Sequence, residues 1–378
     1  MILEFGFCNF FSFKEEAIVS FRLDANCPSS ISLGRDYATA LGIKGANGSG
    51  KTQVLKALSF LVHFITHSFN QKPDDLIGVD PFFGSKESSE FYIELLVNGV
   101  VYRYEVELNN KEVKREAVFR TNRKKILLVE RIGNTIKYRT AALKQLDAIK
   151  LRKNASLIST ANQYEIKVLK EFYDACSAIF GNVVYSGFKD SMDIGTVAQY
   201  LSTDEDALRF IKDFISACDA GISDLSIKKI KDKEDNEIYY PVFTHESGGV
   251  AHALTDIAES NGTKSLFRWL LLYYVALQSG GVAIVDEIDM NLHPHILPKI
   301  LNLFLSRDIN TKNAQLIFAT HDTEILEILG RYRTYLVAKE DNESYAYRLD
   351  EIPGDLIRND RPIRPVYNSG RLGGVPRL

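Results

Sequence analysis

The sequence predicts an α/β fold whose core is assembled from two halves separated by a long insertion, and three observations predict it. A short apolar run, Ala40–Lys44, stops at a glycine-rich turn, and apolar residues then recur at helical spacing (Val54, Leu55, Leu58, Leu61, Val62). A second apolar run, Val282–Val285, has the unbroken character of a strand buried on both faces and ends in two acids, Asp286 and Glu287. Between them lie an alternating apolar/polar stretch and further helical patterns, so the two halves must come together across the insertion.

Taken in order, Ile2–Phe13 and Ala17–Leu23 are rich in aromatic and branched residues and read as a strand pair. Glu90–Arg139 alternates, as in Phe91–Leu95 and Val101–Val106, with turns at Asn98-Gly99, Asn109-Asn110 and Gly133-Asn134, which predicts an antiparallel meander. Ala141–Phe180 and Glu205–Ala220 read as helical, and Ile222–Phe243 as a hairpin around the charged turn Lys231–Glu237. Helix returns at Lys264–Gln278, followed by the acid-tipped strand, a helix starting near Pro294, the strand Gln315–Ala319 and a helix from Thr323. The reading divides the chain into residues 1–70 as the first half of the core, 71–220 as an inserted meander and helical lobe, and 221–378 as the second half. It contains no internal repeat and no low-complexity tract.

A chain of 378 residues with 45% hydrophobic content can bury one large core or a core and a smaller lobe. With 46 basic and 49 acidic residues the net charge is -3, so there is no global attraction to nucleic acid or anionic membrane, and any such contact must be local. Cys8, Cys27, Cys176 and Cys218 lie far apart with no Cys-x-x-Cys pair, so neither a disulfide framework nor a thiolate zinc site is suggested, and a reducing cytoplasm fits best. Met1–Phe13 carries Glu4 and no basic segment ahead of an apolar run, so no secretory signal is expected. The longest apolar stretches, such as Leu266–Leu277 with its Arg268, fall short of the ~20 residues that span a bilayer, so no membrane segment is expected either.

Gly45-Ala46-Asn47-Gly48-Ser49-Gly50-Lys51-Thr52 matches the phosphate-loop pattern G-x-x-x-x-G-K-[ST], in the strand-loop-helix context that the pattern requires. Glycines let the backbone turn its N–H groups inward around phosphates, at a helix N-terminus whose dipole favours negative charge. Lys51 is placed to neutralise the β- and γ-phosphates of ATP, and Thr52 to hold Mg2+ through its hydroxyl. The residues of Val282–Glu287 supply the complement. Asp286 would order the Mg2+ shell, and Glu287 would polarise the attacking water. A strand ending in Asp-Glu can also be purely structural; pairing with the phosphate loop favours the catalytic reading.

These residues resemble the ABC-like branch of P-loop ATPases that includes SMC, RecF and the ATPase part of OLD-family proteins. Asn9–Phe13 is similar to the "nF-x-S-F" strand with which those proteins open. The closest resemblance is to short AAA-family ATPases of bacterial phage-defence and abortive-infection operons, of the RloA and AriA types. It runs through Asp286–Asp289, Leu292-His293-Pro294, Ala319–Asp322 and the tail Tyr367–Pro376. The resemblance implies a P-loop ABC-type ATPase head with an inserted α+β lobe between the P-loop and Walker B halves. It implies a homodimer or larger assembly around ATP, in which a serine-glycine signature of one subunit contacts the nucleotide of another. Ser260 and Gly262, in Glu259–Lys264, occupy that place, with an ordinary N-capping turn as the other reading. His321 takes the place of the switch histidine, against a plain core histidine. Asp289 takes that of a residue crossing the interface, against a turn cap, and Gln163 that of the glutamine coupling nucleotide to the insertion.

The remaining clusters carry less. His63 and His67 sit four apart, but Phe64 stands where a metalloprotease needs Glu, so an apolar-face pair is expected. His293 and His295 flank Pro294 as turn residues. Lys111–Arg131 holds eight basic residues (Lys111, Lys114, Arg115, Arg120, Arg123, Lys124, Lys125, Arg131) against Glu112, Glu116 and Glu130, a surface for phosphates or a solvated face. The tail carries Arg358, Arg361, Arg364, Arg371 and Arg377 among prolines and glycines, which suits an extended arm. OLD-family proteins continue into a TOPRIM nuclease, for which residues 322–378 are too few, so nuclease or toxin activity is expected from a separate effector chain. The expected function is a switch ATPase that dimerises around ATP and controls that effector in antiphage defence. The alternatives are a RecF-like DNA-binding ATPase of repair and a scaffold that binds ATP without hydrolysing it.

Overall fold

Alternating side chains put one face of the N-terminal strands on the core, and the computed structural model shows that face shared by most of the first half of the chain. It describes residues 1–184, 187–188, 193–219, 221–352, 356–358 and 361–374. Along the chain run strands β1 (Ile2–Cys8), β2 (Ala17–Ser20) and β3 (Ala40–Gly45), then the meander β4 (Ser89–Val97), β5 (Val100–Leu108), β6 (Val113–Thr121), β7 (Lys125–Ile132) and β8 (Thr135–Arg139). Short strands β9 (Ile179–Gly181), β10 (Val183–Val184) and β11 (Gly187–Phe188) follow. After them come β12 (Ile222–Lys231), β13 (Glu237–Ser247), β14 (Val250–Thr255), β15 (Val282–Val285), β16 (Gln315–Ala319), β17 (Thr334–Glu340) and β18 (Glu343–Arg348).

The meander forms as the alternation predicts, but it is not a body of its own. Its first strand pairs antiparallel with β1, making a seven-stranded sheet in the order β2-β1-β4-β5-β6-β7-β8. The second sheet, β18-β17-β3-β16-β15-β9, is parallel from β17 to β9, with β18 antiparallel at its edge. Helix Lys51–His67 lies between the two sheets: Val54, Leu58 and Leu61 share one core with Phe5, Ile93 and Tyr104 of the first sheet and with Ile43, Ile317 and Val337 of the second. The opposite face of the second sheet (Ala283, Val285, Leu316, Phe318) packs against helices Asn261–Ser279 and Leu297–Leu305 in a second core. Burial on both faces is why β15 and β16 are unbroken apolar runs.

Several expectations need correction. Ala141–Phe180 is not continuous helix but a 3-10 segment Ala141–Ala148, helices Leu157–Gln163 and Lys170–Ser177, and the first residues of edge strand β9. Glu165 at φ 55 interrupts the run, and Ser156 caps a fresh helix by accepting from Ser159 N. The helix expected from Thr323 is only Ile325–Leu329, and the tail, expected as an extended arm rather than a helix, contains the short helix Arg364–Asn368 with Pro365 in its first turn, where proline is compatible with helix. β14, β17 and β18 were not anticipated, although β17 is the parallel neighbour of β3. Ala220, the expected end of helix Glu205–Cys218, and Val375, Pro376 and Arg377 of the tail lie outside the described residues.

The basic run does not form one surface. Arg131 is fully buried and ion-paired with buried Glu116 at 2.6 Å, and it also donates to Arg152 O (3.1 Å) and Ala155 O (2.6 Å). Arg115 bridges Glu105 (3.1 Å) and Glu130 (2.8 Å) across the meander, and Lys114 pairs with Glu112. Arg120, Arg123, Lys124 and Lys125 are left exposed at the β6–β7 hairpin tip, with Lys125 over the Phe119 ring. Cross-strand pairing thus absorbs charge that a linear count assigns to solvent. No helix among the described residues is long and apolar enough to cross a membrane.

Candidate functional site

β3 delivers the chain into the loop Gly45–Gly50, and helix Lys51–His67 starts at its end. Gly50 has φ 113, and a Cβ there would lie 3.0 Å from Ser344 Oγ and 3.1 Å from the Phe13 ring, so only glycine fits. The backbone N–H groups of Gly48, Gly50, Lys51 and Thr52 find no backbone acceptor among the described residues, as a helix N-terminus built for an anion requires. Buried Ser49 Oγ likewise has no hydrogen-bond partner there. Lys51, 8% exposed, donates to Gly45 O (2.9 Å) and Ala46 O (3.1 Å). Burial lowers its pKa, opposed by the carboxylates of Asp286, Glu287 and Asp289.

The loop is held from behind by a three-residue clamp. Ser344 Oγ donates to Ser49 O (2.7 Å) and lies 2.6 Å from Ser12 Oγ. Ser12 in turn binds Gln53 Oε1 through its hydroxyl and through its main-chain N (3.2 Å). This gives the opening Asn9–Phe13 segment a physical task. Asn9, at φ 51, anchors it by donating to Glu87 O (3.0 Å) and Ser88 O (3.2 Å) and by accepting from Phe82 N (3.0 Å). Ser12→Ala is expected to lower stability by about 1–2 kcal/mol, read as a shifted urea midpoint, because buried Ser344 and half-buried Gln53 each lose a hydroxyl partner. An unchanged midpoint would show that the clamp contributes nothing.

At the mouth of the loop the two halves are joined by a side-chain hydrogen bond: Thr52 Oγ1 donates to Asp286 Oδ2 at 2.7 Å, across 234 residues of chain. Asp286 is 4% exposed, and its backbone is fixed by buried Asn182, whose Oδ1 accepts from Asp286 N (2.7 Å) and whose Nδ2 donates to Asp286 O (3.0 Å). Glu287 is exposed on the rim at φ 51. The left-handed backbone costs a non-glycine residue on the order of 1 kcal/mol and directs the chain sharply out of the strand. A cleft of about 280 Å³ is bounded by Asn47, Gly48, Lys51, Thr52, Asp286, Glu287 and His321. Among the described residues no group of three or more His, Cys, Asp or Glu could hold a metal. One hydroxyl beside one carboxylate fits Mg2+, which takes its other positions from phosphate and water.

His321 stands two residues past β16, exposed, so it is not a core histidine. Its main chain is held on both sides of the Cα, the N donating to Asp289 Oδ2 (3.3 Å) and the O accepting from Lys44 Nζ (2.7 Å). Its pKa is lowered, first by burial and then by Lys51, which favours the neutral ring. Ser260 is the N-cap of helix Asn261–Ser279, its Oγ accepting from Thr263 N (3.1 Å), and neither Ser260 nor Gly262 borders the cleft of the same chain. Gln163 is corrected outright. It is exposed at the end of helix Leu157–Gln163, which is bonded through Ser156 and Ser159 to the far end of the loop helix at Ile65 and Thr66. His63 and His67 stack at 5.2 Å on the exposed side of their helix rather than on its apolar face. His293 accepts from His295 N in a turn, as read.

Sequence reasoning missed Lys44, Asn182, Ser344 and Gln53. A lysine inside an apolar strand was a signal for the first; nothing local marked the others. Lys44 is 3% exposed, and its pKa is pushed down from 10.5 to about 8, chiefly by burial, against the pull of Asp289 and Asp322. The folded pKa lies below the unfolded one, so between about pH 8 and 10.5 the unfolded chain holds the extra proton and stability rises with pH. Urea melts of the wild type and Lys44→Met are expected to show that rise in the wild type and its loss in the variant. Parallel pH curves would contradict it.

Residues 41–327 match the family described as "AAA domain, putative AbiEii toxin, Type IV TA system". No curated protein matches the chain. Among solved structures it is similar to an SMC head bound to the C-winged helix domain of ScpA (15% identity, 92% of this chain and 97% of that chain, TM-score 0.49). It is similar too to the SMC head domain from Thermotoga maritima (15%, 92% and 98%, TM-score 0.45). A third is the Smc head domain with a coiled coil and joint from Pyrococcus yayanosii (11%, 97% and 99%, TM-score 0.48).

Proposed function

The chain belongs to this AAA-domain family, and from that premise we propose that it is an ATP-hydrolysing switch that assembles around Mg2+ and ATP and governs a separate effector. The observation that carries the reading is the Thr52–Asp286 bond, which joins a phosphate-binding loop to a carboxylate strand in one cleft. Lys51 and the inward N–H groups would bind the β- and γ-phosphates, and Thr52 and Asp286 would hold Mg2+, which supplies charge neutralisation at the phosphates. Glu287, on the rim, would orient water for attack and take up its proton, with the neutral His321 ring beside it.

The exposed N-terminus of helix Asn261–Ser279 supports a second role, at the cleft of another copy. Ser260 and Gly262 would face the γ-phosphate there, so that the nucleotide bridges two subunits and hydrolysis loosens them. Control of a nuclease or toxin chain in antiphage defence is the use proposed for this switch; the family description, which names a putative toxin and a type IV TA system, supports a role in a toxin–antitoxin pair. The assembly is tested by light scattering on Glu287→Gln with and without Mg2+ and ATP. A nucleotide-dependent doubling of mass is expected, and a constant monomer mass would sink the bridging role while leaving hydrolysis to its own test.

A further inference from the structure

The C-terminal arm runs against the back of the phosphate loop. Ile363, Tyr367 and Leu372 form a small core of their own with Leu326, Leu336 and Leu349. Tyr367 OH donates to Gly374 O (3.0 Å), and Tyr347 OH donates to Leu372 O. The space beside Gly374 is bounded by Gly45 Cα, Leu336 Cβ and Val337 O, each 3.7 Å from where a Cβ would stand. Gly373 is at φ 75, and a Cβ there would come within 2.5 Å of the Tyr347 hydroxyl, so the arm seats only with glycine at this position.

Lys44 lies under this arm. It is on the same face of β3 as Ala40, opposite to Leu41 and Ile43, which face the loop helix. Its ammonium is 5.2 Å from the centre of the Tyr367 ring, a cation–π contact, and it donates to His321 O. A lysine stem reaches water readily unless something encloses it. Tyr367 provides that enclosure, so seating of the arm and the bond to His321 are one arrangement.

We propose that Lys44 is a positioning residue for His321, and that the C-terminal arm regulates the cleft by holding Lys44 on the His321 carbonyl. With the arm seated, Lys44 and Asp289 fix the main chain on both sides of the His321 Cα; with it displaced, the ammonium turns to water and the histidine loses one anchor. The phosphate loop, with its own clamp of Ser12, Gln53 and Ser344, keeps its nucleotide. Turnover changes and affinity does not. The inference rests on the ATP-hydrolysis reading above.

The test measures ATP turnover by the full-length protein, wild type against Lys44→Met, Lys44→Arg, Gly373→Ala and the Lys44→Met/Gly373→Ala double variant. A misplaced group costs up to about 100-fold in rate. Lys44→Met is therefore expected to lower kcat by about 10- to 100-fold with KM for ATP within about threefold, and Lys44→Arg to recover part of the loss. Gly373→Ala is expected to lower kcat in the wild type but not further in the Lys44→Met background, since both remove one anchor. Wild-type kcat in Lys44→Met, a KM that rises in step with the fall in kcat, or independent losses from the two substitutions would overturn the proposal. Should Lys44→Met fail to fold, Tyr367→Leu, which leaves Lys44 in place, decides it: a lowered kcat at constant KM supports the arm's role and an unchanged kcat overturns it. A wild type that turns over no ATP overturns the hydrolysis reading and this inference together. Turnover shared by wild type and Lys44→Met overturns this inference alone.

Discussion

Glu287→Gln is expected to lower ATP turnover by about 10²- to 10³-fold while ATP binding persists. The substitution keeps the shape of the side chain and removes only the carboxylate's ability to accept the proton of an attacking water. Glu287 is exposed, and its main chain, not its side chain, holds the turn: Glu287 N donates to Asp286 Oδ1 (3.1 Å) and Glu287 O accepts from Met290 N (2.9 Å). Stability should therefore change by no more than about 0.5 kcal/mol, as for surface substitutions generally. Phosphate release and an ATP titration on the same preparation check both halves of the expectation. Turnover within threefold of wild type would remove Glu287 from the chemistry, and a matching loss of affinity would make it a binding residue instead.

Lys51→Ala is expected to weaken binding of Mg2+ and ATP by on the order of 10²- to 10³-fold, since a charge-assisted hydrogen bond contributes about 1.5–3 kcal/mol and a phosphate tail takes more than one. The ammonium already bonds two loop carbonyls, Gly45 O and Ala46 O, so it is preorganised at the mouth of the loop rather than free in solvent. In the wild type, ATP at about 100 times its dissociation constant should add about 2.7 kcal/mol to unfolding stability. The variant should show almost none of this at the same ligand concentration, in thermal or urea unfolding. An undiminished ligand-induced shift would place the nucleotide elsewhere in the molecule, and the proposed function would fall with it.

Much of the site was legible because its chemistry is local. Gly45–Thr52 carries its own backbone requirement, and Val282–Glu287 carries both its burial and its terminal acids within six residues. Both lie where the strand and helix pattern put them. The clamp behind the loop was not legible: Ser12 stands in the Asn9–Phe13 segment that the resemblance marks, but nothing in the sequence pairs it with Gln53 and Ser344, which come from other segments. Asn182 was hidden for the same reason: its partner is the backbone of Asp286, which any sequence would provide. Gln163 shows the opposite failure. A residue type sought for a role was taken from the insertion, but its helix docks at the distal end of Lys51–His67.

By itself, then, the sequence determined the local elements: where the backbone must turn, which strands are buried on both faces, and which side chains could handle phosphate. Hydrophobic period and glycine placement act over a few residues and leave their mark in order along the chain. Only the tertiary structure decided that β4 joins β1, that Arg131 is buried on Glu116, and that the C-terminal arm reaches Lys44. Those outcomes depend on which surfaces meet, and contact between distant segments is set by packing and by pairing of buried charge, neither of which has a period to read.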